Sequence, residues 1–300
     1  MQGKARTDGV RGVPSAASKV THAIGMDFLL ECIGFGPGWD LQSVEDEVRR
    51  RGEPTAWRGR EGEHLRLPLA GGLELRLDRD TEQVASVWPF YTSRYRRRVA
   101  ALSLQRLEDS TGDAILTGYT NPTAAADSLE PDDLFGGTLE DHLGHALTCY
   151  LTDAGRLPRR LPVGHVLAVM ATGFALQVDY VGPNEGSPYR LEHDPELLER
   201  PHGARIDALG GSESPAACME LSMRIRSITH LRNDVTGEPV TRIELDAPGV
   251  PLEVFVSPWQ LSTDGLPPPK PGHRLEGVFL LLGRIVGGLP RPRRRQIAFG

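Results

Sequence analysis

The sequence contains two similar stretches, Leu161-Pro162-Val163-Gly164-His165-Val166-Leu167 and Pro269-Lys270-Pro271-Gly272-His273-Arg274-Leu275. In both of them a proline shortly precedes a Gly-His pair, and a long apolar run follows. Proline next to glycine is typical of a tight turn, and the apolar runs that follow are typical of strands. We therefore predict two long strands, each entered from the same kind of turn.

The segments before these turns also correspond between the two halves of the chain. Apolar and polar residues alternate over residues 147–151 and again over residues 242–245, which is the period of a half-buried strand. Further back, residues 115–121 correspond to residues 226–233, and both segments end in Asn. The spacing between corresponding segments is unequal, so each copy needs insertions. We interpret the pattern as a divergent internal repeat.

Composition places the chain among globular proteins. Its 300 residues are 39% hydrophobic, which is enough apolar material for one large domain or two to three ordinary ones. It has no apolar run long enough to span a membrane and no secretory signal, so we expect a cytoplasmic protein without a membrane partner. Cys32, Cys149 and Cys218 are odd in number and far apart, which favours reduced packing residues over disulfides.

The first 92 residues predict a small α+β domain. Residues 1–25 lack hydrophobic periodicity and are expected to form a disordered leader. The apolar residues 28–35 predict a buried strand. A helix is expected to begin after the N-cap Asp40 and to end in the basic residues 49–51. A hairpin around Ala70-Gly71-Gly72 and a further strand within residues 84–91 complete the domain, which we place at residues 26–92.

The rest of the chain predicts mostly strands. Residues 93–108 fit a strand or a helix, and we favour a strand. Residues 183–217 contain five prolines and four glycines and are expected to be a linker, and residues 289–300 a basic tail. The linker separates two segments, 93–182 and 218–288.

The C-terminal segment contains four strands joined by short polar turns, which predicts a β-barrel or sandwich. The strand pattern over residues 219–287 and 110–182 resembles that of tandem OB-like β-barrel proteins of uncharacterised bacterial families. That resemblance implies two divergent OB-like antiparallel barrels after the α+β domain. The fold class that we predict is therefore α+β, mostly β.

Residues that could support catalysis are few. His142 and His145, with Cys149 nearby, include zinc-ligand types, and they leave a metal-dependent hydrolase open as an alternative. If the segment is a strand, however, residues three apart point to opposite faces of the sheet, and no second ligand pair follows at zinc-site spacing. The sequence also lacks the Gly-x-Ser-x-Gly nucleophile motif. We expect no catalytic residue, no metal and no cofactor.

Binding is favoured instead. Alternation places Phe255 beside Glu253 and Ser257, and Tyr150 beside Thr148 and Thr152, so both rings could be exposed on a barrel face. OB-type proteins stack bases on such rings and follow the backbone with arginines. The candidate ligand-binding residues are Tyr150, Phe255, Arg224, Arg226 and Arg242.

The net charge of −6 and the 6% aromatic content argue against a nucleic-acid binder. The predicted function is therefore a non-enzymatic interaction or scaffold protein with a protein partner. Single-stranded nucleic-acid binding is the alternative.

Overall fold

The computed structural model describes residues 26–55, 62–79, 86–107, 112–120, 145–192, 205–208 and 217–290. Over these residues the chain is α+β and mostly β, as predicted. The expected leader 1–25, the basic residues 291–295 and His142 lie outside the described residues.

The described elements are four short helices and thirteen strands in two sheets. The helices are α1 (Met26–Glu31), α2 (Leu41–Arg51), α3 (Pro188–Glu192) and α4 (Pro258–Thr263). The first six strands are β1 (Glu53–Pro54), β2 (Glu63–Pro68), β3 (Leu73–Arg79), β4 (Ser86–Tyr91), β5 (Arg97–Arg106) and β6 (Ala114–Thr120). The others are β7 (Ala146–Leu151), β8 (Val166–Gly182), β9 (Arg205–Ala208), β10 (Cys218–Arg232), β11 (Pro239–Leu245), β12 (Leu252–Val256) and β13 (Arg274–Gly287).

Helix α2 forms as the sequence predicts. The Asp40 side chain accepts a hydrogen bond from Ser43 N at 2.7 Å, which satisfies one of the backbone donors that a helix N-terminus leaves free. Val44 and Val48 are fully buried on the side of the helix that faces strands β2 to β4, and the basic residues 49–51 occupy the last turn. The predicted cap, the apolar positions and the basic end are all confirmed.

The predicted strand over residues 28–35 is wrong, because this segment begins with helix α1 and continues as a turn. Phe35 N donates to Leu30 O at 3.1 Å, which folds the chain back on the end of the helix. Leu29, Leu30 and Ile33 are all buried. A short apolar run that is buried nearly all round has no period to distinguish a helix from a strand.

Strands β1 to β4 form an antiparallel sheet in chain order. The predicted hairpin is confirmed, with its turn at Ala70–Gly72. Both faces of β3 are buried, because apolar Leu73, Leu75 and Leu77 alternate with Glu74 and other buried polar residues. Helix α2 contacts β2 and β3 on this sheet. Glu74 and its neighbours on the polar face therefore lie in the interior.

The second sheet has the order β11-β12-β8-β5-β6-β7-β13-β10-β9, with additional pairings of β11 with β10 and of β8 with β13. Most pairings are antiparallel, but β12 pairs with β8 and β7 pairs with β13 in parallel. Residues 97–106 are a strand, as favoured. The expected linker 183–217 contains α3 and β9, and β9 extends the sheet by pairing with β10.

The two Gly-His stretches form equivalent turns. Gly164 N donates to Ala101 O at 2.8 Å, and Ala101 N donates to His165 O at 3.0 Å. At the second turn Gly272 N donates to Ile225 O at 2.8 Å, and Ile225 N donates to His273 O at 2.7 Å. Both glycines have positive φ, 78° and 86°, which glycine adopts without steric cost. The predicted turns and the long strands β8 and β13 that follow them are confirmed.

The two sheets meet around one buried carboxylate. Glu74, which is fully buried, accepts from Arg66 Nε at 2.5 Å and from Arg76 Nε at 3.1 Å, and it also pairs with Arg284 of β13. The guanidiniums of Arg76 and Arg284 lie over the Phe90 ring, 4.5 Å and 5.5 Å from its centroid. Burial acts to raise the pKa of Glu74, but the three guanidiniums outweigh it and hold that pKa below the ordinary value of 4.5.

We predict that Glu74→Gln lowers the free energy of unfolding at pH 7 by about 3–5 kcal/mol, because it leaves buried guanidiniums without their carboxylate. Since the folded pKa of Glu74 is depressed, its contribution is complete above about pH 4.5 and is lost as the pH falls further. The difference between the two proteins should therefore shrink below that pH. Urea unfolding between pH 3 and pH 7 measures it, with exposed Asp46→Asn as control. Equal stability at pH 7 would contradict the prediction.

Candidate functional site

Tyr150, a predicted ligand-binding residue, is buried with 4% of its surface exposed. Its ring stacks on Trp88 of β4, with 4.9 Å between the ring centroids. Its hydroxyl donates to Asp113 Oδ2 at 2.8 Å. Both the ring and the polar end of Tyr150 therefore have partners inside the protein.

Phe255, the other predicted aromatic, is completely buried. It lies between Tyr91 of β4 and Phe174 of β8, at centroid distances of 5.1 Å and 5.4 Å. The expected exposure of Tyr150 and Phe255 is therefore wrong. The physical reason is that strand β4 covers both rings, because its Trp88 packs on Tyr150 and its Tyr91 packs on Phe255.

Arg242 contacts the residues that cover Phe255. Its Nη2 donates to Thr229 Oγ1 at 2.9 Å, and its Nη1 donates to the Tyr91 hydroxyl and lies 3.4 Å from Glu253 Oε1. Glu253 is 1% exposed, so Arg242 neutralises a carboxylate of the interior. In this arrangement the guanidinium of Arg242 stabilises the packing of β4 on the second sheet.

Arg226 and Arg224 are exposed on β10 but face different surroundings. Arg226 Nε lies 3.4 Å from Glu244 Oε1, and the same carboxylate accepts from Arg94 Nη2 at 2.8 Å. Arg224 instead lines a pocket to which none of the other four predicted residues contributes. The structure therefore does not bring the five predicted residues together in one site.

His145 and Cys149 belong to the segment in which the sequence contains residues of zinc-ligand type. Burial and the nearby Arg97 lower the pKa of His145 to about 3, and its ring nitrogens lie 3.1 Å and 3.3 Å from Thr120 Oγ1. Burial raises the pKa of the Cys149 thiol to about 12. Within the described ranges no three His, Cys, Asp or Glu side chains are grouped to hold a metal ion.

An open groove of about 570 Å³ lies between α1, β8 and α4. Its apolar lining residues are Phe28, Pro37, Leu176, Val178, Trp259 and Leu266. Its polar lining residues are Glu31, Gln177, Asp179, Gln260, Thr263 and Asp264. No sequence pattern indicates this groove.

Three hydrogen bonds hold the walls of the groove together. Ser257 caps α4 by accepting from Gln260 N at 3.1 Å, and its hydroxyl donates to Glu31 Oε2 of α1 at 2.8 Å. Gln260 Nε2 donates to Leu176 O of β8 at 2.9 Å. A Cβ at Gly36 would lie 2.7 Å from the Trp259 ring, so only glycine lets the indole pack there. The groove is therefore preformed.

The groove combines apolar exposure with negative charge. Phe28 is 48% exposed, although it is a large apolar side chain, and Trp259 is half-buried beside it. The charged lining residues are Glu31, Asp179 and Asp264, and no Lys, Arg or His lines the groove among the residues that the structure describes. Chemically the groove offers apolar side chains together with carboxylates.

Comparison with known proteins gives no relative of this chain. No protein-family model matches it, and neither the curated proteins nor the solved structures contain a significant match. Over the described residues no helix is long and apolar enough to cross a membrane.

We predict that Phe255→Ala lowers the free energy of unfolding by about 3–5 kcal/mol, since it removes a fully buried ring from between two aromatic partners. Arg226→Ala is the matched control and should stay within about 0.5 kcal/mol, because its guanidinium is exposed. Urea denaturation of the full chain measures both. A Phe255→Ala protein as stable as the control would show that this ring is not a core residue.

Proposed function

We propose that the protein is a non-enzymatic interaction or scaffold protein, and that the groove between α1, β8 and α4 docks a short segment of a protein partner. The segment carries an apolar anchor side chain next to lysine or arginine. The observation that carries the proposal is the exposed Phe28 within a groove whose charged lining residues, over the described part of the chain, are all acids.

The apolar part of the groove supports a side-chain anchor. A volume of about 570 Å³ lies within the range of sites that enclose small ligands or anchor side chains. Aromatic residues are enriched at the centres of protein interfaces, where they contribute large contact areas. Phe28 and Trp259 supply such area from two elements that hydrogen bonds hold in place, so little ordering is needed when a partner binds.

The charge of the groove supports a basic segment. Glu31, Asp179 and Asp264 present carboxylates, and the described lining residues include no cation. The net charge of −6 adds to this local field. Charge complementarity between a negative rim and a basic segment speeds association and rejects acidic partners. A guanidinium or ammonium over the Trp259 ring would add a cation–π contact.

We also propose that the framework holding the groove is a divergent duplication of OB-like barrels, within the domain limits inferred from the sequence. The equivalent turns at Gly164 and Gly272 support a duplication. So do the register shifts at Ala101/Ser103 and Ile225/Ser227, next to those turns. The pairings relate β5, β6, β7 and β8 to β10, β11, β12 and β13. The sequence pattern also matched β8 with β13, but it matched β6 with β10 and β7 with β11, one strand away from the pairings.

Nucleic-acid binding has no such observation in its favour. Base stacking on Tyr150 and Phe255 would require β4 to move away from both rings. The contacts of Trp88 with Tyr150 and of Tyr91 with Phe255 would then be lost. The protein-docking proposal requires no rearrangement of the described residues.

Selection of displayed random 12-residue peptides on the full chain tests the proposal. We predict that enriched peptides contain at least two basic residues and one aromatic or large aliphatic residue. Phe28→Ser should weaken their binding about tenfold or more, since about 1.4 kcal/mol of anchor contact corresponds to that factor. Asp179→Asn with Asp264→Asn should weaken binding most at low salt, where charges are least screened.

Matched controls are available on the same chain. Val163→Ser removes a large apolar side chain that is 50% exposed but lies outside the groove, and Glu238→Gln removes an exposed acid elsewhere. Both should bind the selected peptides as the unmodified protein does. Absence of any enriched peptide, or enriched peptides that bind Phe28→Ser undiminished, would overturn the proposal.

A further inference from the structure

A second pocket, of about 440 Å³, lies where β8 ends and β13 begins. The ends of the two strands meet there, since Arg274 pairs with Gly182. The lining residues are Pro183, Asn184, Glu185, Arg224, Pro271, Gly272 and His273. None of them lines the groove at α1 and α4, so this pocket is a separate feature.

Two arginines lie side by side at this pocket. Arg224 of β10 is directly opposite Arg274 of β13 in an antiparallel pairing, which places both side chains on the same face of the sheet. Arg274 is only 2% exposed, while Arg224 is exposed. Burial lowers the pKa of Arg274, Glu276 opposes that effect, and Arg224 adds to the lowering. Like charges directly opposite each other repel, and Glu276 offsets this repulsion at Arg274.

The partners of Arg274 are part of the protein. Its Nε donates to Asn184 Oδ1 at 2.8 Å, and its Nη1 donates to Ser222 Oγ at 2.9 Å. Ser222 in turn donates to Glu276 Oε1 at 2.9 Å. This network fixes Asn184 in the pocket wall by its carbonyl oxygen. Its amide NH₂ makes no hydrogen bond with the described residues and can donate to another partner.

Arg224 differs from Arg274, because its guanidinium makes no hydrogen bond or ion pair with the described residues. The pocket thus combines an arginine fork with an amide donor, above a second buried positive charge. A guanidinium fork matches two oxygens of a carboxylate or phosphate, and such pairs are stronger than neutral hydrogen bonds. Among the described lining residues Glu185 is the one acid.

We propose that this pocket binds a small oxyanion, a carboxylate or phosphate group, which Arg224 holds as a fork while the Asn184 amide donates to one of its oxygens. Arg274 positions Asn184 and supplies long-range positive charge from beneath the pocket. Glu185 at the rim weakens the binding of anions. The proposal does not depend on the docking groove.

Titration of the full chain with inorganic phosphate and, separately, with acetate, followed by NMR or calorimetry, tests it. We expect saturable binding of at least one anion, and the better of the two identifies which group the site prefers. Arg224→Gln should weaken binding about tenfold or more. Arg224→Lys keeps the charge without the fork, so its affinity should lie between those of Arg224→Gln and the unmodified protein. Glu185→Gln should strengthen binding, because it removes the opposing charge.

Arg226→Gln is the matched control, since Arg226 is an exposed arginine two residues away on the same strand and pairs with Glu244. Its affinity for the anion should equal that of the unmodified protein. Thermal unfolding of each variant establishes that the fold is retained. Absence of saturable binding of either anion would overturn the proposal. It would also be overturned if Arg226→Gln lost as much affinity as Arg224→Gln, because binding would then reflect general surface charge.

Discussion

The antiparallel pairing of β8 with β13 is the constraint on which the rest of the structure depends. It extends from Arg274 opposite Gly182 to Gly287 opposite Ala168. Each of these strands also pairs in parallel with a strand from the other half, β8 with β12 and β13 with β7. Buried backbone groups need hydrogen-bond partners, so neither half can satisfy its long strand alone. The segments on either side of residues 183–217 therefore form one continuous sheet, and both the groove and the anion pocket lie beside β8.

The sequence predicts those features that depend on neighbouring residues. The Asp40 cap, the turn at Ala70–Gly72 and the turns at Gly164 and Gly272 each need only a few consecutive residues, and all of them are present. Alternation likewise locates β7 and β11. The apolar run that begins at Phe28 fails because its burial has no period, and sequence pattern alone does not choose between helix and strand there.

The site could not be predicted in the same way, because it depends on which surfaces are covered. Alternation correctly places Phe255 beside Glu253, but it cannot show that β4 packs on that face and buries both residues. The lining of the groove comes from three segments that are far apart in the chain. Phe28 is apolar in a run of apolar residues, and nothing in its neighbours distinguishes it as the exposed one. Only the packing of α1 against β8 and α4 does so.

The number of arginines in the sequence is also a poor guide to the surface charge of the folded protein. The chain has 34 lysines and arginines, yet Arg76, Arg97 and Arg274 are each 4% exposed or less. Burial lowers the pKa of both Arg76 and Arg97 to about 10, so they remain charged at neutral pH and act on interior carboxylates such as Glu74. Arginines that pair with buried carboxylates cannot also neutralise carboxylates on the surface. The carboxylates of the groove therefore keep their field. Arg224, whose guanidinium has no hydrogen-bond or ion-pair partner among the described residues, keeps its own field at the other pocket.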